Sequence, residues 1–149
     1  MAKIDDEIKT NFANDKHRFM ANLIYTTNCF QNLFIDYLKP YGISPQQFNI
    51  LRILRGAKDW VTMNTIKKLM VDKAPNATRL SDKLLDKEFI ERKRGEQDRR
   101  VVYLNITAKG LELLKAIDND TEGEHFSYFS RITDEEAKQF SNMLDKLRG

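Results

Sequence analysis

The feature that most constrains this chain is a change of hydrophobic period near residue 88. Before it, apolar residues recur mainly at helical spacings of three and four; from Phe89 to Ile106 they do not. Phe89-Ile90-Glu91-Arg92-Lys93-Arg94 and Arg99-Arg100-Val101-Val102-Tyr103-Leu104-Asn105-Ile106 read as two strands, with Gly95-Glu96-Gln97-Asp98 as the turn between them. Two short helices are expected just upstream. Thr62 or Asn64 caps the first, whose inner face is Ile66, Leu69 and Met70, and a turn at 71–73 follows. Pro75 opens the second, which runs to about Lys87. Its inner face is Ala77, Leu80, Leu84 and Leu85; its outer face is Asn76, Thr78, Arg79, Ser81, Asp82 and Lys83.

Longer helices flank this centre. Phe12, Phe19, Leu23, Phe30, Leu33, Phe34 and Tyr37 mark one helix over about 8–38, ended by Pro40 and Gly42. Met20, Ile24 and Tyr25 widen its stripe, so it needs more than one neighbour to cover it. Ser44-Pro45-Gln46-Gln47 is a capping-box start for a helix through Phe48, Leu51, Ile53 and Leu54 to Gly56, and Trp60-Val61 is a short extended stretch. Thr107 caps a helix through Leu111, Leu113, Leu114 and Ile117. Thr133-Asp134-Glu135-Glu136 starts the last one, whose stripe is Ala137, Phe140, Met143, Leu144 and Leu147. A chain of 149 residues fits a single domain spanning 1–149. The expected fold is mainly α with a small β-hairpin wing: a winged helix-turn-helix over about 44–106, with dimerisation helices over about 8–38 and 108–148. Phe12, Phe19, Phe140, Leu144 and Leu147 are the expected dimer-interface residues, because a chain this size has no need to expose two such stripes.

Charge follows the same division. The net charge is only +3, yet residues 62–110 carry 12 basic against 7 acidic side chains, while 111–149 carry 5 against 9. A basic centre beside an acidic end suits a chain that presents one part to an anion. The outer face of the second short helix is small and polar with one arginine and one lysine, which fits a major groove, where Arg reads guanine edges and Asn adenine edges. Arg92, Lys93, Arg94, Arg99 and Arg100 crowd the hairpin, where an arginine at the tip suits the narrow minor groove.

The stretches Thr78-Arg79-Leu80-Ser81-Asp82-Lys83-Leu84, Ile90-Glu91-Arg92, Asp98-Arg99-Arg100 and Ile106-Thr107-Ala108-Lys109-Gly110 resemble the multiple-antibiotic-resistance regulator (MarR) family. Its members commonly show a TRL-x-D-[RK]-L recognition helix, an [LI]-x-R entry to the wing, a DRR wing tip and an [LI]-T-x-x-G entry to the next helix. The resemblance implies a two-fold dimer held by its first and last helices, presenting two recognition helices to a pseudo-palindromic double-stranded DNA operator. It implies a repressor released by a small aromatic or lipophilic effector, bound in a crevice between the dimer helices and the DNA-binding part. Residue by residue, it implies DNA contacts from Asn76, Thr78, Arg79, Lys83 and Arg100; the polar outer face and the charged hairpin add Ser81, Arg92, Lys93, Arg94 and Arg99 as candidates. Asp98 would pair with a wing arginine as a brace, and Arg100 would face Arg94. Tyr25, Phe30 and Phe34 are candidates for the crevice. The chain departs from the pattern at Glu88, where the family commonly has glycine, at Ile66-Lys67, where it often has Leu-Ala, and at Val71, where the turn often has glycine.

Other classes fit less well. No Gly-rich phosphate loop, serine nucleophile elbow or metal motif is present, so no enzyme or cofactor is expected. His17 and His125 are too few and too far apart for a zinc site. A winged helix serving protein contact would want apolar residues on the outer face of its second helix, and a thiol redox sensor would need Cys29 activated by a nearby cation. Cys29 has no basic residue within one turn and is expected to be a buried core residue. A single cysteine rules out an intrachain disulfide and, with a polar start and no long apolar run, favours a cytoplasmic protein with no membrane association.

Overall fold

The computed structural model describes residues 3–71, 76–120 and 128–149. The described elements run α1 (Ile4–Ile8), α2 (Asp15–Leu38), a 3-10 turn (Lys39–Tyr41), α3 (Pro45–Ala57), β1 (Val61–Thr62), α4 (Met63–Leu69), α5 (Ala77–Asp86), β2 (Ile90–Arg94), β3 (Val102–Ile106), α6 (Ala108–Asn119), a second 3-10 turn (Phe129–Arg131) and α7 (Asp134–Arg148). The strands form one antiparallel sheet in the order β1-β3-β2, with Val61 opposite Leu104 and Lys93 opposite Tyr103.

Local chemistry sets most helix starts. The Ser44 side chain accepts from the Gln47 N–H at 3.2 Å, Gln47 Oε1 accepts from the Ser44 N–H at 3.0 Å, and Pro45 fills the first position. Thr62, rather than Asn64, caps α4 by accepting from the Thr65 N–H, Thr107 caps α6, and Thr133 with Glu136 forms a capping box at α7. Pro75, expected to open the recognition helix, lies outside the described residues, and α5 begins at Ala77.

The core lies where α3, α4, α5 and α6 close over one face of the sheet. Ile50, Leu51, Leu54, Ile66, Leu84, Leu104 and Leu114 are fully buried there, with Leu38 from the end of α2. Tyr37 donates its hydroxyl to the Ile117 carbonyl at 2.7 Å, Tyr41 donates to Asp120 Oδ2 at 2.8 Å, and Arg55 pairs with Asp118 at 2.5 Å. These three contacts fasten the C-terminal end of α6 to α2, to the 3-10 turn that follows it and to α3. The hydrogen bond to Asp120, ahead of burial, pushes the Tyr41 phenol up to about 12.

Several expectations change. The helix expected over 8–38 is two pieces. Lys9 takes a left-handed conformation at φ +50°, α1 ends, and Asn14 caps a new start by accepting from the His17 N–H at 3.0 Å. Phe12 therefore sits in the link between the pieces, half-buried. Leu69, expected on the inner face, is exposed, since α4 ends there and Met70, one turn beyond Ile66, takes the inward position. Leu111 is exposed while Leu114 and Ile117 carry the buried face of α6. Cys29 is exposed, not a core residue: Tyr37 and Leu38 are the buried residues of α2, and the helix stands clear of the core along its middle.

Candidate DNA interface

The helix α5 lies with Ala77, Ser81 and Leu84 against the core and with Thr78, Arg79, Asp82 and Lys83 exposed. At about 100° per residue, the four exposed residues share one arc. Ser81 falls outside that arc. It is buried, and its hydroxyl donates to the Ala77 carbonyl at 2.9 Å. It is thus no DNA contact: its polarity suggested an outward face, but its angular position and intrahelical bond put it inside. Asn76 stands exposed at the N-cap without making a side-chain capping bond. Asn49 Oδ1 accepts from the Val71 N–H at 3.1 Å, tying the end of the α4 turn to α3.

The wing follows at once through a tight helix end. Glu88 has φ +62°, its N–H donates to the Leu85 carbonyl at 2.8 Å, and the Phe89 N–H donates to the Leu84 carbonyl at 3.0 Å. This is a Schellman motif with glutamate at the position glycine usually takes. The sequence departure at Glu88 is therefore met by a left-handed residue, not by a different helix end. Just beyond this helix end, a Cβ at Gly110 would lie 2.2 Å from the Phe89 carbonyl oxygen, so α6 passes where only glycine fits.

The hairpin turn is longer than expected. The strand β3 begins at Val102, and Arg99 and Arg100 lie in the turn. Asp98 Oδ1 accepts from the Arg100 N–H at 2.9 Å, the Val101 N–H donates to the Asp98 carbonyl at 3.0 Å, and the Gly95 N–H donates to the Val101 carbonyl at 2.9 Å. Asp98 does brace the tip, but through backbone and not through a guanidinium; a short Asp side chain reaches the N–H two residues on, as in an Asx turn. A Cβ at Gly95 would sit 2.6 Å from the Asp98 carbonyl oxygen, which explains glycine there. Arg94 pairs across the ladder with Val102, so it is not opposite Arg100.

Arg79, Lys83, Arg94, Arg99 and Arg100 are exposed, and none of them has an ion-pair partner among the described residues. Arg92 and Lys93 are exposed but engaged. Arg92 Nη1 lies 3.2 Å from Asp82 Oδ1, and Lys93 Nζ lies 4.3 Å from the Trp60 ring centroid and 6.0 Å from that of Tyr103. Nothing in the sequence marks Asp82 and Trp60 for these roles. Trp60 and Lys93 are 33 positions apart, and only the register of β1, β3 and β2 brings them together.

The remaining candidates lie on the long helices. Phe19, Phe140 and Leu147 are exposed and Leu144 is half-buried. Tyr25 donates its hydroxyl to Glu7 Oε2 at 3.0 Å; that bond, ahead of the charge on Glu7 and of burial, holds the phenol above its usual range. Phe30 meets Tyr128 edge-on at 6.2 Å, and Phe34 packs on Phe48 at 5.4 Å beside the core. A cavity of about 520 Å³ lies at the α1–α2 link, lined by polar groups including Asp5, Lys9, Asn14 and Arg18. Among the described residues no group of three or more His, Cys, Asp or Glu is placed to hold a metal, and no helix is long and apolar enough to cross a membrane.

Two short helices, the second with a polar basic outer face, and an antiparallel hairpin joined directly to it define a winged helix-turn-helix protein. The MarR family model matches residues 43–102. The chain is 30% identical over 111 residues to the HTH-type transcriptional regulator MhqR of Bacillus subtilis, spanning 74% of this chain and 76% of that one, and 31% identical over 107 residues to the uncharacterized HTH-type regulator YpoP of the same organism, spanning 70% and 74%. The chain belongs to the MarR family of transcription regulators. Its fold is that of a cysteine-to-serine variant of E. coli MarR solved with operator DNA (TM-score 0.77, 22% identity, covering 93% of this chain and 99% of that one) and of the S. aureus MepR–DNA complex (TM-score 0.73, 22% identity, covering 92% and 97%).

Proposed function

We propose that this regulator binds a pseudo-palindromic operator as a homodimer and represses transcription in the cytoplasm until a small aromatic or lipophilic effector releases it. The observation that carries the DNA reading is the juxtaposition of two cationic groups on one surface. Asn76, Thr78, Arg79 and Lys83 line the exposed arc of α5, and the wing that carries Arg94, Arg99 and Arg100 is held beside it by the Arg92–Asp82 contact. In this reading α5 enters the major groove and the wing tip reaches the adjacent minor groove. The exposed apolar residues of α2 and α7, Phe19, Phe140 and Leu147 among them, supply the dimer surface, with Phe12 and Leu144 at its edge. Dimerisation brings two copies of α5 to half-sites about one helical turn apart. The surroundings of Tyr25, Phe30 and Phe34 form the effector crevice only once a partner subunit completes them. An effector that prefers a spacing of the two α5 helices unfit for DNA shifts the equilibrium; one with equal affinity for both spacings does nothing.

Titrating the purified protein against DNA flanking its own gene, with rising salt and excess random DNA, tests this. Tight binding to one fragment that survives competitor is the expected result. Equal, weak binding to all fragments would leave a winged helix that contacts another protein.

A further inference from the structure

The wing carries five cations, and the structure divides them. Arg92 and Lys93 are adjacent on β2, so their side chains leave opposite faces of the hairpin. Arg92 turns to α5 and meets Asp82 at 3.2 Å; Lys93 turns to the other side and lies over Trp60 at 4.3 Å, with its cross-strand partner Tyr103 at 6.0 Å. Trp60 is the only tryptophan and immediately precedes β1. One cation thus ties the hairpin to the recognition helix and its neighbour ties it to the opposite edge of the sheet. Arg94, Arg99 and Arg100, further out, have no such anchor among the described residues.

We infer that Arg92 and Lys93 are positioning residues that fix the angle of the wing relative to α5, and that Arg94, Arg99 and Arg100 are the wing cations left for DNA. The inference rests on the proposal that this face binds DNA. A two-stranded hairpin projecting from a sheet pivots about its base, and a tether on each face removes that freedom before binding. Preorganisation of this kind raises affinity without adding a contact. It also leaves the number of displaced counterions unchanged, which separates a brace from a phosphate contact.

The test measures binding of the full chain to a labelled mixed-sequence duplex across a salt series, read as anisotropy. Arg92→Gln and Lys93→Met should each weaken binding about fivefold per wing, the size of an exposed ion pair or cation–π contact, with the salt slope of the unsubstituted protein. Arg100→Gln should instead reduce the slope by about 0.9 per wing. In the DNA-free protein, Lys93→Met should change the emission of Trp60, and Arg94→Met should not. A slope loss at Arg92 or Lys93 equal to that at Arg100 would make them phosphate contacts and overturn the inference. So would unchanged affinity, or a Trp60 spectrum indifferent to Lys93. If the unsubstituted protein prefers no DNA sequence, operator recognition fails, yet the slopes on the mixed-sequence duplex still decide between brace and contact.

Discussion

Glu88 offers a quantitative test of the junction between recognition helix and wing. Its φ of +62° places a side chain in the left-handed region, where a non-glycine residue costs about 1–2 kcal/mol. Replacing it by glycine removes that cost but frees the unfolded chain, which offsets about 0.4–1 kcal/mol. The side chain itself holds little: its carboxylate pairs with Lys109 at 3.1 Å, but the two side chains are 81% and 55% exposed, and such a pair contributes at most about 1 kcal/mol. The backbone bonds of the Schellman motif survive any side chain. The clean comparison is therefore Glu88→Gly against Glu88→Ala, since both lose the ion pair and only alanine keeps the strained Cβ. Glycine should be the more stable of the two by about 0.5–1 kcal/mol, or a few degrees in Tm for a chain of this length. Urea unfolding followed by circular dichroism measures this, at one fixed protein concentration because dimer stability depends on it. Equal midpoints for the two variants would mean that Glu88 bears no strain and that the helix end is set by something else.

Gly110→Ala should destabilise by about 3 kcal/mol or more, because its Cβ would meet the Phe89 carbonyl at 2.2 Å and the Ile106 side chain at 2.8 Å and neither can move without breaking the wing entry; a midpoint near that of the unsubstituted protein in the same urea assay would contradict the close approach. Ser81→Ala should leave DNA affinity and salt slope unchanged, whereas Arg79→Ala should cost roughly 1–3 kcal/mol with altered base preference; a slope change at Ser81 would return it to the contact surface. The hydrogen bond from Arg18 holds the Asp5 carboxyl below its usual range. With the folded value below the unfolded one, the Asp5–Arg18 contact is fully present above about pH 4 and weakens only as pH falls through that lower value. Carbon-detected NMR titration should show Asp5 returning to the ordinary range in Arg18→Gln, and no difference between the two proteins would remove the contact.

What the sequence made legible was whatever is decided within four or five residues. Ser44, Thr62, Thr107 and Thr133 cap because a hydroxyl one position before a helix reaches the N–H three residues on, whatever the rest of the chain does. The period change near residue 88 is equally local, since a period of two and a period of 3.6 cannot share one stretch. Errors arose where polarity stood in for angle or where the deciding partner was distant. Ser81 looks like a surface residue, but one turn from Ala77 it spends its hydroxyl on the helix's own carbonyl. The family pattern suggests an arginine side chain as the partner of Asp98, but the donor that a short carboxylate in a turn reaches is the backbone N–H two residues on. The five wing cations looked equivalent because their engagement depends on Asp82, 10 residues back, and on Trp60, on another strand's threshold. Cys29 failed for a further reason. A stripe that reads as core from the sequence is apolar because something covers it, and the sequence does not say whether that cover is the same chain. With only Tyr37 and Leu38 of α2 buried and Phe19, Met20, Ile24 and Phe30 exposed, the single chain leaves that stripe open, as a helix made to pack on a second copy would.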